Sequence, residues 1–263
     1  MVTLAGIFPP TQPPEQIGAV AAAAESAGLE QLWIWEDCFM ESGIATATAM
    51  LATTSRITVG IGLLPVPLRN VVLAAMEIAT LSRLFPGRLI AGVGHGVLDW
   101  MGQAGARVES PMTLLREYTA ALYALLHGET VTTRGRYVNL DAVALDWPPA
   151  VVPPLLVGGI KPRTVSLAGE LADGVIIPGG VSPEEVRTSV GQLHGQRSAE
   201  RGPADVVVFI STPAGRPAAA VAATVSEYAA AGATHVAVNA AEDDADLERF
   251  AGFLAREVGP LLR

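Results

Sequence analysis

The stretch from Arg56 to Trp100, RITVGIGLLPVPLRNVVLAAMEIATLSRLFPGRLIAGVGHGVLDW, constrains the fold more than any other. Ile57 to Leu64 is apolar without alternation, as expected of a strand covered on both faces in a parallel sheet. Pro65 and Pro67 end it, because a proline nitrogen cannot donate to a ladder. Asn70 is placed to cap a helix carrying Val72, Leu73, Met76 and Leu84, which Pro86-Gly87 stops. Leu89 to Val93 then reads as a second strand running into Gly94-His95-Gly96, where the backbone is open to a close ligand. This is one βαβ unit, and in parallel α/β folds ligands sit at the carboxyl ends of the strands.

The same alternation extends in both directions. Thr3–Phe8 and Leu32–Trp35 read as strands, each followed by a helical segment, Pro14–Ala27 and Ser42–Thr53. The pattern lapses after Trp100, which predicts a loop over the mouth of the fold up to Pro111. Pro111–His127 resumes as a helix with Leu114, Leu115, Tyr118, Leu122 and Leu125 on one stripe. Between Glu129 and Trp147, Arg134-Gly135 separates two β-prone runs, so a small hairpin interrupts the alternation. Strands at Leu155–Val157, Asp173–Ile177, Val206–Ile210 and His235–Val238 follow. Their helices include one opened by Pro162, one opened by a Ser182/Glu185 capping box, Ala218–Ala230 and Asp244–Val258. Eight strand-helix pairs in 263 residues match a single (β/α)8 TIM barrel over residues 1–263, with a short excursion between strands four and five.

Charge and cysteine content narrow the function. A net charge of −9 with 17 basic residues leaves no basic stripe for a phosphate backbone, so nucleic acid is not an expected partner. Cys38 is the only cysteine, which rules out an internal disulfide and a cysteine metal cluster. No Lys or Arg precedes Arg56, unlike a signal peptide, and no uninterrupted apolar stretch is long enough for a bilayer. The expectation is a cytoplasmic protein without membrane contact.

Several rim residues carry chemistry. Glu36 and Asp37 follow the second strand, and adjacent strand residues point to opposite sides, so at most one faces the barrel axis, as a general acid or base or as a hydrogen-bond partner to a cofactor ring. The competing reading has them capping the next helix or lying in solvent. His95, between glycines, is either reachable from the mouth or bonded only to a neighbouring carbonyl. Gly158-Gly159 and Gly179-Gly180 fit phosphate binding by backbone amides at helix N-termini, or simple rim turns. Lys161, the only lysine, adds a cation beside the first pair; Arg69 and Arg163 are either anion ligands or solvated surface. His127, His194 and His235 lack metal-ligand spacing, so no metal is expected. Cys38 reads as a small buried hydrophobe rather than a nucleophile.

Three segments, AESAGLEQLWIWED, VGIGLLPVPLRNVVLAAMEIATLSRLFPGRLIAGVGHG and PLLVGGIKPRTVSLAGELADGVI, together resemble the bacterial luciferase-like monooxygenase superfamily, in particular its branch that uses the deazaflavin coenzyme F420. The resemblance runs from Ala24 to Ile177; beyond Gly180 only the barrel pattern supports it. It implies a flavin or deazaflavin at the carboxyl ends of the strands, backed by a non-prolyl cis peptide at Gly62-Leu63. The acidic-histidine pair of many deazaflavin members falls on Glu36-Asp37 or Asp37-Cys38, and in either register the histidine is absent. Val97 stands where some members have a catalytic glutamate, with Asp99 nearby, which leaves His95 as the replacement proton donor. The family's phosphate contacts map onto Gly158, Gly159, Ile160 and Lys161, and onto Gly179-Gly180, with Gly94 also beside the ligand.

The function implied is hydride transfer between F420 and a small organic substrate. The alternatives are an FMN-dependent monooxygenase fed by a separate flavin reductase, and a barrel that binds a flavin-like ligand without turnover. A homodimer is implied by analogy, through the helices around Val71–Leu84 and Leu114–Leu126.

Overall fold

A computed structural model describes residues 2–213, 215–241 and 246–262. Among them, eight parallel strands close a barrel. The chain runs β1 (Thr3–Ile7), α1 (Ile17–Ala27), β2 (Gln31–Ile34), α2 (Gly43–Thr53), β3 (Thr58–Pro65), α3 (Val71–Leu84) and β4 (Leu89–Gly94). It continues through α4 (Leu98–Gln103), α5 (Pro111–Leu126), a hairpin of β5 (Val131–Arg134) and β6 (Asn139–Val143), then β7 (Leu155–Gly158) and α6 (Pro162–Leu171). The last units are β8 (Gly174–Ile177), α7 (Pro183–Gln196), β9 (Asp205–Thr212), α8 (Ala218–Ala230), β10 (His235–Ala240) and α9 (Leu247–Phe253). Around the barrel the order is β1, β10, β9, β8, β7, β4, β3, β2, and the antiparallel β5–β6 pair stands outside it.

The expected helix signals act as read. The Asn70 side chain accepts the Val72 amide, and Ser182 and Glu185 close a reciprocal capping box on α7. Glu25 on α1 accepts the amides of Ser55, Arg56 and Ile57 at the entry to β3. Slight burial works against its charge, but those amides outweigh it and bring the carboxyl to about 2. Glu117 on α5 holds the hairpin turn in the same way, through the amides of Arg136, Tyr137 and Val138.

Two expectations need correction. The loop predicted after Trp100 contains α4, which begins at Leu98; buried Met101 anchors it, and Arg107 closes on the Leu98 carbonyl. The stripe of α5 does not form a free face, since Leu114, Leu115, Tyr118, Leu122 and Leu125 are all buried in the core. The predicted start of the last helix at Asp244 lies outside the described residues.

Two apolar layers hold the fold. The larger lies between strands and helices, and a smaller cluster, with Ala5, Ile7, Trp33, Leu156, Val207 and Phe209, fills the lumen. Gly60 makes room for the luminal Trp33: a Cβ there would lie 2.5 Å from the indole. Trp33 meets Phe209 edge-on with centroids 5.6 Å apart, which seals the lumen below the carboxyl end.

Candidate active site

The site forms where β3 breaks register. Pairing with β4 slips between Ile61 and Leu64, and the Gly62-Leu63 peptide inside that slip is cis, at the position expected. Leu63 turns its side chain over β4 and β7; Cβ atoms on Gly94 and Gly158 would come within 2.5 and 2.2 Å of its Cδ2. These two glycines therefore accommodate Leu63 rather than a ligand. In front of the bulge a cavity of about 490 Å³ opens at the carboxyl end of the barrel. Trp35, Phe209, Ile7 and Ile176 line it together with Trp100, Val97, Pro178 and Ile210, and Asp37, His95, Ser211 and Asn239 are polar groups on its wall.

Glu36 and Asp37 both border the cavity but stand differently. The Glu36 carboxylate pairs with both terminal nitrogens of Arg69 and accepts the Gly43 amide at 2.7 Å, so it caps α2. Arg69 in turn reaches Glu77 at 3.2 Å. Burial opposes the charge on Arg69, but hydrogen bonds and charge from Glu36, with Glu77 adding to them, hold its guanidinium above the ordinary value. Asp37, the next residue, has no ion-pair partner among the described residues. Burial pushes its pKa up, against a hydrogen bond from the Trp35 side chain.

His95 lies 3.4 Å from the Thr164 hydroxyl through Nε2, and its Nδ1 is buried without a hydrogen bond of normal geometry. Burial pushes the imidazole pKa down; the Pro111 carbonyl opposes this and the charge of Lys161 adds to it. The ring is therefore neutral at pH 7. A depressed folded pKa means that the unfolded chain binds the extra proton first, so stability is fully present above pH ~6.5 and lost as pH falls through the folded value. His95→Gln is expected to flatten that acid-side loss, by at most about 1.4 kcal/mol per pH unit. Urea unfolding at pH 7.5, 6.5 and 5.5 measures it, and parallel slopes in variant and wild type would refute the assignment.

The glycine pairs are only partly at the site. Gly158, Gly159 and Gly179 line the cavity, whereas Gly94, Ile160, Lys161 and Gly180 are not among its lining residues. The Gly159 amide is spent on the Ile176 carbonyl, and Glu185 occupies the Ser182 amide at the start of α7. Lys161 is the exposed N-cap residue of α6, with Arg163 exposed beside it. Cys38 is half-buried rather than buried, and its peptide to Phe39 is also cis, which was not expected. Burial, then the charges of Glu36 and Asp37, push its thiol pKa up, away from nucleophile chemistry. Among the described residues no group of His, Cys, Asp or Glu is arranged to hold a metal ion. Trp35, Trp100, Phe209, Ser211 and Asn239 went unread in the sequence, although the last two end barrel strands and carry polar side chains there.

The sequence profile described as luciferase-like monooxygenase matches residues 2–258. The chain belongs to this family. Among luciferase-like relatives, the 5,10-methylenetetrahydromethanopterin reductase of Methanolobus tindarius is 30% identical over 202 residues, covering 76% of this chain and 61% of that protein. The F420-dependent glucose-6-phosphate dehydrogenase of Kineococcus radiotolerans is 33% identical over 182 residues, 64% of this chain and 53% of that protein. The chain thus spans little more than half the length of these luciferase-like relatives. The solved coenzyme F420-dependent tetrahydromethanopterin reductase of Methanopyrus kandleri shares the fold, with a TM-score of 0.85 at 20% identity over 100% of this chain and 99% of that one.

Proposed function

We propose that this luciferase-like protein is an F420-dependent oxidoreductase that moves a hydride between the deazaflavin coenzyme and a small organic substrate. The observation that carries this reading is the cavity in front of the cis Gly62-Leu63 bulge, in a chain whose named relatives include F420 enzymes. Flat apolar surfaces at Trp35, Leu63, Phe209 and Ile176 suit a planar ring, and Lys161, the chain's only lysine, exposed just beyond the rim glycines, suits its phosphate. When bound, the coenzyme supplies the redox chemistry. The protein's residues position and protonate. Asp37, raised by burial and without an ion-pair partner among the described residues, exchanges a proton with the substrate oxygen, and neutral His95 borders the same cavity. Glu36, held by Arg69, orients this loop instead of reacting. Trp35, Trp100 and Phe209 exclude water.

Titration with F420 and, separately, FMN is the test. Micromolar F420 should show a shifted absorbance; a response to FMN alone, with oxygen uptake in the presence of a flavin reductase, favours the monooxygenase reading, and binding of neither ends both. Asp37→Asn is expected to reduce turnover about 10²-fold or more with F420 affinity retained.

We read the protein as cytoplasmic; no helix among the described residues is long and apolar enough to cross a membrane. We also infer a homodimer through α3, whose Leu73, Met76 and Leu84 are 48%, 53% and 63% exposed. A Leu73→Asp/Met76→Asp variant should sediment at half the wild-type mass; an unchanged mass rejects this face.

A further inference from the structure

The cavity wall is unusual in its charges. Among the described residues, no Lys or Arg lines it, and the ionisable groups that do are Glu36, Asp37 and His95. Two nearby cations are engaged elsewhere. Arg69 is held by Glu36 and Glu77, and Arg107 is turned to the Leu98 carbonyl and Asp99. Lys161 is exposed outside the lining, on the side taken above for the coenzyme phosphate. Away from the Lys161 side, an anion entering this space would lose its hydration and meet no cation among the described lining residues, an arrangement that burial penalises heavily.

Apart from His95 and the tryptophan indoles, the uncharged polar side chains lining the cavity among the described residues are Ser211 and Asn239. They end β9 and β10 and face each other in register. The Oδ1 atom of Asn239 is buried without a hydrogen-bond partner, so its amide has bonding capacity that the fold does not use. An amide and a hydroxyl side by side on an otherwise apolar wall are suited to one neutral oxygen function.

We propose that the site takes an uncharged, mostly apolar substrate bearing one hydroxyl or carbonyl group, oriented by Asn239 and Ser211, and that it rejects phosphorylated substrates. The proposal rests on the functional reading above, because it names the substrate class of the same cavity. It separates this chain from a sugar-phosphate dehydrogenase.

The experiment is calorimetric titration of the F420-loaded protein with cyclohexanol and with cyclohexyl phosphate, repeated without the coenzyme and with Asn239→Leu and Ser211→Ala. Cyclohexanol is expected to bind at least about tenfold more tightly than its phosphate ester. Asn239→Leu should weaken cyclohexanol by about threefold to tenfold, with F420 affinity unchanged. Phosphate ester binding as tight as the alcohol, or binding of neither probe, overturns the proposal. So does an alcohol affinity that stays within about twofold in both variants. The wild-type comparison needs no variant to fold. Failure to bind F420 would overturn the functional reading, whereas a preference for the phosphate ester in F420-loaded protein would overturn this one alone.

Discussion

Trp33→Ala is expected to lower the free energy of unfolding by about 3–5 kcal/mol. Trp33 is 0% exposed and stands in the lumen, so the deleted indole leaves a hole that the closed strands cannot collapse around. Its neighbour makes the result diagnostic. Gly60 is there because any Cβ would strike the indole at 2.5 Å, so Gly60→Ala alone costs about 1–3 kcal/mol by overpacking. In the Trp33→Ala background the obstacle is gone, and the same Gly60→Ala change should cost little or even help. Urea denaturation of the four proteins measures the coupling. A loss below about 1 kcal/mol for Trp33→Ala, or additive effects in the pair, would mean that the lumen is not packed as described.

That pair also shows why the fold was legible and the site only partly so. Parallel strands buried on both faces read as continuous apolar runs, so β3, β4, β7 and β8 were placed within a residue or two, and the capping residues Asn70 and Ser182 act through bonds that span two or three positions. Local chemistry suffices for such elements. It does not say which strand residues point inward, so the lumen-filling role of Trp33 and Phe209 was invisible. Helix α4 was missed because its single turn and a half depends on the burial of Met101, a tertiary event.

The glycines are the clearest case. A glycine in a sequence reports a missing side chain, not what fills the space. At Gly94 and Gly158 the filler is Leu63, which arrives from a strand 31 and 95 positions away in sequence and sits there only because the bulge turns it inward. The cis peptide at Gly62-Leu63 was expected from family resemblance alone, and nothing in local propensity pointed to it. Likewise, strand alternation led to the expectation that at most one of Glu36 and Asp37 faces the barrel axis, whereas both border the cavity, and which one is ion-paired is decided by Arg69, across 33 residues of chain.

That ion pair supports the second large effect. Arg69→Met should destabilise the protein by about 3–5 kcal/mol, more than Glu36→Gln does. The side chains of Arg69 and Glu36 are only 13% and 9% exposed, so little solvent screens either group. Removing the arginine strands two carboxylates, Glu36 and Glu77, whereas neutralising Glu36 leaves Arg69 its Glu77 partner at 3.2 Å. The double variant Glu36→Gln/Arg69→Met should recover part of the loss, because no charge remains buried at Glu36. The site should respond as well. The Glu36 amide donates to the Leu63 carbonyl at 3.4 Å and Asp37 is the next residue, so loss of Arg69 loosens the bulge and the free carboxylate together. F420 affinity should therefore drop in Arg69→Met and return in part in the double variant. Equal stabilities for the two single variants, or no recovery in the double variant, would show that the pair is screened and that Glu36 is held by Gly43 alone.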